Sequence, residues 1–475
     1  MSQLQRQARP AAQPLDPAAL EAFAGRLRGR LIDRHTPDYE EARVLWNAMI
    51  ERRPALIARC AGVADVIEAV RFARDQGLAL AVRGGGHNIA GSALCADGLV
   101  IDLSAMRAVR VDPAARRAWV QGGALLGDLD HETQAFGLAA PGGVISHTGV
   151  AGLTLGGGFG WLSRQHGLAA DNLVSVEIVT AEGALLRVSA EEHPDLFWAL
   201  RGGSGNFGVA VTFEFRLHPV GPEVLFGPTL YPLDQAAAVL RNYAEVAPEL
   251  PRAACAWATL ITAPPLPVLA PRYHGTKMLS VMQCYAGDLS EGQAALAPLR
   301  DFGEPAGDGV MVRRFTEAQA LLDPIYAHGW RNYWTSANFR ALSGRAIDRF
   351  VDLAERMPTD QSDVTISHVG GAINDVAPEA TAYPHRDANF VLSPGARWME
   401  PSDDVGCLAW IDRCREVLAE ESSGGAYVNF IAEQRGREEE AYGANYRRLA
   451  EVKRRYDPGN LFRHNQNVAP GADHV

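Results

Sequence analysis

An α+β architecture is expected from three features of this 475-residue chain. Up to about residue 220, short apolar runs that read as strands alternate with helical patterns and end repeatedly on glycine. Beyond it, segments such as Tyr333 to Phe339 alternate in polarity, the pattern of an antiparallel sheet with one covered face. Between those later strands lie apolar stretches of helical period, with neither heptads nor a short repeat. The chain is too long for one simple core, so two domains are expected.

Composition narrows the function. A hydrophobic share of 47% and a charged share of 21% are those of an ordinary globular protein. The net charge of −11 argues against a nucleic-acid partner. Cys60, Cys95, Cys255, Cys284, Cys407 and Cys414 are scattered, without a CxxC pair or metal-ligand spacing, so reduced thiols, no metal site and a cytoplasmic location are expected. Met1 to Pro14 is polar and lacks the apolar core of a signal peptide, and no run is long enough to span a bilayer.

Taken in order, residues 1–14 read as a loose tail, and Asp16-Pro17 opens a helix carrying Leu20, Phe23, Leu27 and Leu31. Pro54 to Val82 reads strand, helix, strand, with the helix from Gly62 to Gly77. Leu99 to Leu103 and Ala118 to Val120 are short strands, and Leu125 to Phe136 is a helix. Val174 to Thr180 and Leu185 to Val188 pair around Glu182-Gly183; Asp195 to Leu200 is a helix and Val209 to Phe215 a strand. Composition changes at Pro219-Val220-Gly221-Pro222. Helices are then expected at 233–247, 290–301, 344–356 and 403–419. Strands are expected near 255–262, 277–286, 331–339, 363–371, 388–393 and 426–431. Residues 438–456 form one charged helix, and the last eight residues are loose.

The glycines carry the functional signal. Arg83-Gly84-Gly85-Gly86-His87-Asn88 follows an apolar strand; three glycines let backbone turn sharply and approach a large ligand, and the imidazole that follows is a potential nucleophile. Gly142 to Trp161 holds eight glycines in 20 residues, interleaved with Val150, Leu153, Leu155, Phe159 and Trp161, and reads as an ordered loop moulded around a flat ligand. Gly203, Gly205 and Gly208 formally satisfy GxGxxG. Here, however, a helix precedes the glycines and a strand follows, the reverse of the dinucleotide-binding order, which excludes a Rossmann reading.

Seven segments in order resemble the FAD-linked oxidases of the vanillyl-alcohol-oxidase (PCMH) superfamily, in the berberine bridge enzyme-like branch. They are Arg83 to Asn88, Gly142 to Trp161, Asp171 to Leu173, Phe197 to Gly208, Thr381 to Arg386, Tyr427 to Asn429 and Tyr456 to Asn467. The resemblance implies an N-terminal tail and helix (1–49), a PCMH-type FAD-binding domain (50–221), a substrate domain (222–430) and a C-terminal segment (431–475) returning to the first. It implies FAD contacts from Arg83, Gly84, Gly85, Gly86, His87, Asn88, Gly91, Gly142, Ser146, Thr148, Gly149, Gly152, Gly157, Gly160, Asn172, Gly208, Val209 and Asn467.

His87 occupies the place of the histidine that bonds to the flavin 8α-methyl carbon, and the family's second, cysteinyl link falls on Ile145, so a single covalent bond is implied. Cys95 lies in another loop and is a poor substitute. Thr148 falls where relatives govern oxygen access, and His147 supports the loop. The implied reaction is hydride transfer from an alcohol, sugar, amine or polyketide-like small molecule to flavin N5, with O2 as acceptor and H2O2 as product. Tyr427 and Asn429, on the family's YxN strand, are the substrate-side candidates, with His368, Tyr383 and His385 in reserve. The strand after Pro384-His385-Arg386 carries no carboxylate, so the base is unassigned. A flavin dehydrogenase with another acceptor and a non-catalytic flavin-bearing protein are the alternatives. The aromatic residues Trp257, Tyr285, Trp330, Tyr333, Trp334, Phe339 and Trp398 belong to the core or to an apolar pocket.

Overall fold

The computed structural model describes residues 16–433 and 436–471; the expected tail at 1–14 and the end of the expected loose C-terminus lie outside them. Three large sheets organise the described residues, beside a two-stranded pair of Leu138–Ala139 with His218–Pro219. The first has four strands in the order Arg30–Asp33, Leu56–Arg59, Leu99–Asp102, Leu80–Arg83. Its last three are parallel, with the helix Val63–Asp75 as the crossover between Leu56–Arg59 and Leu80–Arg83. The second is antiparallel, in the order Val109–Asp112, Arg117–Gln121, Val209–Arg216, Leu173–Val179, Leu185–Ser189.

The third sheet, of nine strands, is antiparallel throughout. Its middle is Ala254–Thr262, Asp363–His368 and Phe390–Trp398. Helices Leu233–Val246, Gly344–Glu355 and Asp404–Glu421 bury one face through Leu240, Phe350, Ile366, Leu392 and Ile411. The opposite face meets the glycine loop, with Cys255, Trp257, Met282 and Val391 packed among Phe159, Trp161, Leu168 and Tyr427. Both faces are covered, which decides where the site lies.

Several expectations are corrected. Leu31 is not on the first helix, which ends at Arg26; it sits in Arg30–Asp33, so residues 30–33 extend the first sheet instead of belonging to a tail. The glycine loop is not wholly irregular: Val150–Leu155 is a helix, stopped by Gly157 and Gly158 at φ +117° and +78°. The strand expected at 331–339 breaks into Arg331–Trp334 and Ala337–Phe339, both paired with Phe390–Trp398, which runs beyond the expected end at 393. Glu223–Pro232 and Val109–Asp112 are strands the polarity pattern did not reveal. No strand forms at 426–431; Val428–Phe430 is a 3-10 turn. The charged helix at 438–456 is two helices, Glu438–Tyr442 and Tyr446–Tyr456, divided at Gly443 with φ +48°.

The C-terminal segment packs with the early part of the chain, Tyr442, Leu449, Val452 and Val468 sharing a core with Phe197, Phe207 and Phe213. A buried lysine fastens it. Lys453 Nζ donates to Asp457 (2.6 Å), to Asn206 O (2.6 Å) and to Phe462 O (2.9 Å), so one ammonium has three acceptors. Such full satisfaction is what allows the charge to stay in the interior.

Candidate active site

A long cleft runs between the two glycine turns and the third sheet. On one side, Gly85 and Gly149 meet backbone to backbone; a Cβ on Gly85 would lie 2.6 Å from Gly149 Cα. Gly86, at φ +69°, then aims the next side chain inward. His87 stacks on Trp46 (ring centroids 4.2 Å, 17°), and His147 lies 5.0 Å away, with His328 a further 5.1 Å beyond His147. Its Nε2 is shut off from solvent and has no hydrogen-bond partner. Burial, helped by His147 and His328, pushes the imidazole pKa down to about 3, so His87 is neutral with a lone pair available.

Asn429 and Tyr427 stand over the glycine loop. Tyr427 Oη accepts from Gly158 N–H (3.1 Å) and from Asn429 Nδ2 (2.8 Å), which leaves its own O–H free for a third partner. Asn429 also donates to Leu153 O, and a Cβ at Gly156 would lie 2.5 Å from Asn429 Nδ2. Burial raises the Tyr427 phenol to about 12 although both donors oppose the shift. At neutral pH it is therefore a hydrogen-bond donor, not a tyrosinate.

The facing wall is a grid of side chains set by strand register. Trp257 lies opposite Ser367, Thr259 opposite Thr365, Thr365 opposite Ser393, and Asp363 opposite Gly395. Asp363, Thr365, Ser367, Ser393, Gly395 and Trp257 all line the cleft. Asp363 accepts from Arg397 Nη2 (2.5 Å) and Thr365 Oγ1 (3.0 Å), and the Arg397 guanidinium lies 4.1 Å over the Tyr326 ring. Burial raises the Asp363 pKa, opposed by Arg397. Gly395 leaves room for Trp334, whose Cδ1 would be 2.9 Å from a Cβ there.

Of the residues expected at the cofactor, Gly84, Gly85, Gly86, His87, Asn88, Thr148, Gly149, Gly152 and Gly208 line the cleft, as do Tyr427 and Asn429. The others do not. Arg83 turns away to donate to Ala42 O, and Gly91 packs on Ile50. Ser146 donates through both its N–H and its hydroxyl to Asp323. Gly142 packs on Leu126, Gly157 beneath Tyr383 and Gly160 against Gly143. Asn172 donates to His166 O and Leu168 O and contacts His218; Val209 is buried in its strand. Asn467 is not part of the cleft lining, although Phe462, His464 and Asn465 are. Ile145, expected from the resemblance at the cysteine position, is buried and lines the cleft.

The reserves fall out. His368 stacks on Phe390, His385 is hydrogen-bonded with Ala441 O, and Tyr383 lies over Gly157 with Arg386 against its ring. Arg386 makes two 2.7 Å bonds to Asp171, a structural pair. Of the second-section aromatics, Trp257 and Trp334 line the cleft while Tyr285, Phe339 and Trp398 are in the core under the helices. Sequence reasoning missed Trp46, Tyr326 and Asp363. The last had a readable signal, the polar alternation of Asp363, Thr365 and Ser367, but alternation alone assigns such a set to solvent.

These features fit FAD. Glycines at 84–86 and 149, packed turn against turn, line the cleft as a wall without side chains that suits a flat ring system, and His87, with an orphaned imidazole nitrogen, lines it beside them. At the far end Ser204, Gly205, Phe462 and Asn465, fixed by the Lys453 clamp, extend the cleft for a long ligand. No group of metal-ligating side chains occurs among the described residues, and no helix there is long and apolar enough to cross a membrane.

Comparison with known proteins agrees. Residues 54–189 match the family model for an FAD binding domain, and residues 426–469 the model described as berberine and berberine like. An uncharacterised FAD-linked oxidoreductase of Bacillus subtilis, YgaK, is 33% identical over 457 residues, covering 94% of this chain and 98% of the relative. The (R)-6-hydroxynicotine oxidase of Paenarthrobacter nicotinovorans is 32% identical over 465 residues, covering 94% and 97%. Among solved structures, 6-hydroxy-D-nicotine oxidase from Arthrobacter nicotinovorans superposes with a TM-score of 0.84 at 28% identity, covering 94% of this chain and 98% of that one. Xylooligosaccharide oxidase from Myceliophthora thermophila, solved with xylobiose, gives 0.83 at 26% identity, covering 96% and 100%.

Proposed function

This chain belongs to the berberine bridge enzyme-like FAD-linked oxidoreductases and is an FAD-dependent oxidase; on that premise we propose how its own residues serve the reaction. The buried, unpartnered Nε2 of His87, a residue that lines the cleft from within the glycine turn, carries the reading. His87 holds the flavin by one covalent bond, and Ile145, an aliphatic side chain, supplies no second one. Bound FAD supplies a two-electron acceptor for a hydride from a small-molecule alcohol, sugar, amine or polyketide-like substrate, with O2 as terminal acceptor and H2O2 as product.

Tyr427 orients the substrate through its free O–H, and Asn429 fixes the phenol by donating to it. Trp257, Trp334 and Phe430 exclude water and present faces for a ring to pack on. Thr148 stands at the cleft wall beside Gly149, where it limits access to the flavin. The cofactor unit comprises residues up to 221 together with 431–475, and 222–430 form the substrate unit. The chain works in the cytoplasm, where its six free, buried cysteines stay reduced.

Anaerobic mixing of the yellow protein with a panel of alcohols, sugars, amines and phenolic polyketides tests the proposal. The expected result is bleaching by one class and prompt recolouring with stoichiometric H2O2 once O2 is admitted. Slow recolouring assigns a dehydrogenase instead, and a flavin that no substrate bleaches assigns a binding protein.

A further inference from the structure

Trp46 lies outside every segment that points to the cofactor in the sequence, yet it touches both sides of the site. Its backbone N–H donates to Gly86 O (3.2 Å) within the glycine turn. Its indole Nε1 donates to Tyr326 O (2.6 Å), and its carbonyl accepts from Gly329 N–H (3.3 Å), both on the substrate side. The residues that follow continue the seam: Asn47 Nδ2 donates to Ile89 O and to Asn332 O (each 2.9 Å), and Ala48 N–H donates to Trp330 O (3.0 Å). Trp46 is fully buried, so the indole plane is fixed from both directions. The His87 ring lies on it at 4.2 Å and 17°, with His147 beside it at 5.0 Å. An imidazole stacked on a rigid indole cannot swing about its Cβ–Cγ bond without striking it.

We propose that Trp46 is a positioning residue for flavin attachment, holding the His87 ring in the orientation from which its nitrogen reaches the 8α carbon. This rests on the single histidyl link described above. The attachment joins an imidazole nitrogen to that carbon, and the imidazole N–H and one methyl C–H bond are given up. The two electrons and two protons released pass to O2, giving H2O2. Bond formation of this kind needs reacting atoms held in near-attack geometry, and a displacement of about 1 Å lowers its rate on the order of 10²-fold. His87 has no hydrogen bond at Nε2 to orient it. The indole face does that work.

The test compares Trp46→Leu, which removes the ring, with Trp46→Phe, which keeps an aromatic face, and with His87→Ala as the unattached reference. Each purified holoprotein is precipitated with acid, and flavin is measured in pellet and supernatant; melting temperature is recorded alongside. Expected is a covalent share about tenfold lower or less in Trp46→Leu, with total flavin held, and a share within about twofold of the natural protein in Trp46→Phe. A covalent share in Trp46→Leu equal to the natural one overturns the proposal. So does parallel loss of total flavin and melting temperature in both variants, which assigns the indole to folding alone. Should Trp46→Leu fail to fold, Trp46→Met and Trp46→Tyr carry the same contrast of no ring against ring; full covalent loading in every folded variant again overturns it. If the natural protein itself releases all flavin into acid, the attachment reading fails first, and that result needs no variant to be seen.

Discussion

Across the cleft, the wall carrying Gly85 and Gly149 is made of backbone, whereas the wall on Asp363–His368 and Phe390–Trp398 is made of side chains. The first has almost no freedom to adapt. Its surfaces touch at main-chain atoms, so any added carbon displaces the chain. The second is a lattice of interchangeable groups whose shape is fixed by register, and there a single substitution alters a contact while the sheet persists. A rigid wall suits a cofactor that never varies; a lattice of side chains suits a substrate that differs from one relative to another.

That contrast can be broken most severely at the one point where the side-chain wall is not interchangeable. Arg397→Met strands the Asp363 carboxylate with only Thr365 for a partner, a loss of about 3–5 kcal/mol. Because burial has already raised the Asp363 pKa, the ionised form carries the penalty, so urea unfolding at pH 8 shows a larger loss than at pH 5. Gly85→Ala tests the backbone wall: the new Cβ stands 2.6 Å from Gly149 Cα, and about 3 kcal/mol is lost together with most of the bound flavin. The ratio of flavin to protein absorbance and the melting temperature report both.

Tyr427→Phe sharpens the comparison by removing the hydroxyl aimed at the substrate, together with the bonds it accepts from Gly158 N–H and Asn429 Nδ2, while leaving the backbone wall and the sheet in place. Turnover is expected to fall on the order of 10²-fold, with flavin content unchanged, as measured by anaerobic reduction rates. A buried acid behind the backbone wall gives a smaller effect. Asp130 accepts from Gln319 Nε2 (3.1 Å), which also donates to Gly143 O, and burial raises its pKa to about 7. The folded chain therefore holds this proton more tightly than the unfolded one. Its contribution is full at acid pH and is lost as pH rises toward 7. Asp130→Asn keeps an acceptor for Gln319, removes that slope and adds about 1–2 kcal/mol at pH 8, seen in melting temperatures across pH. Least of all, Ser146→Ala deletes one hydroxyl bond to Asp323, worth about 1 kcal/mol, and leaves flavin loading intact in the absorbance ratio.

The backbone wall was legible because glycine announces its own reason: three in a row before His87 state that main chain must turn and come close. The helices at 233–246, 289–300, 344–355 and 404–421 were legible for a similar reason, since their apolar period is local. Segments whose state depends on a distant partner were not. The sequence Tyr427-Val428-Asn429 has strand-like alternation, but it turns because Tyr427 is drawn under Gly158 and Asn429 onto Leu153 O, each about 270 residues away. Ser146 looked like a flavin contact, but Asp323, 177 residues on, holds it.

By itself, then, the order of residues determined the glycine turns, the placement of His87 after them, the lack of sulfur at Ile145 and the alternation of two architectures along the chain. Tertiary structure alone decided which imidazole face is covered by Trp46, which polar strand face looks into the cleft, and that Arg397 neutralises Asp363 there. The physical reason is range. Backbone conformation is set by steric limits within a few residues, whereas burial, charge pairing and ring stacking depend on groups that only the folded chain brings together.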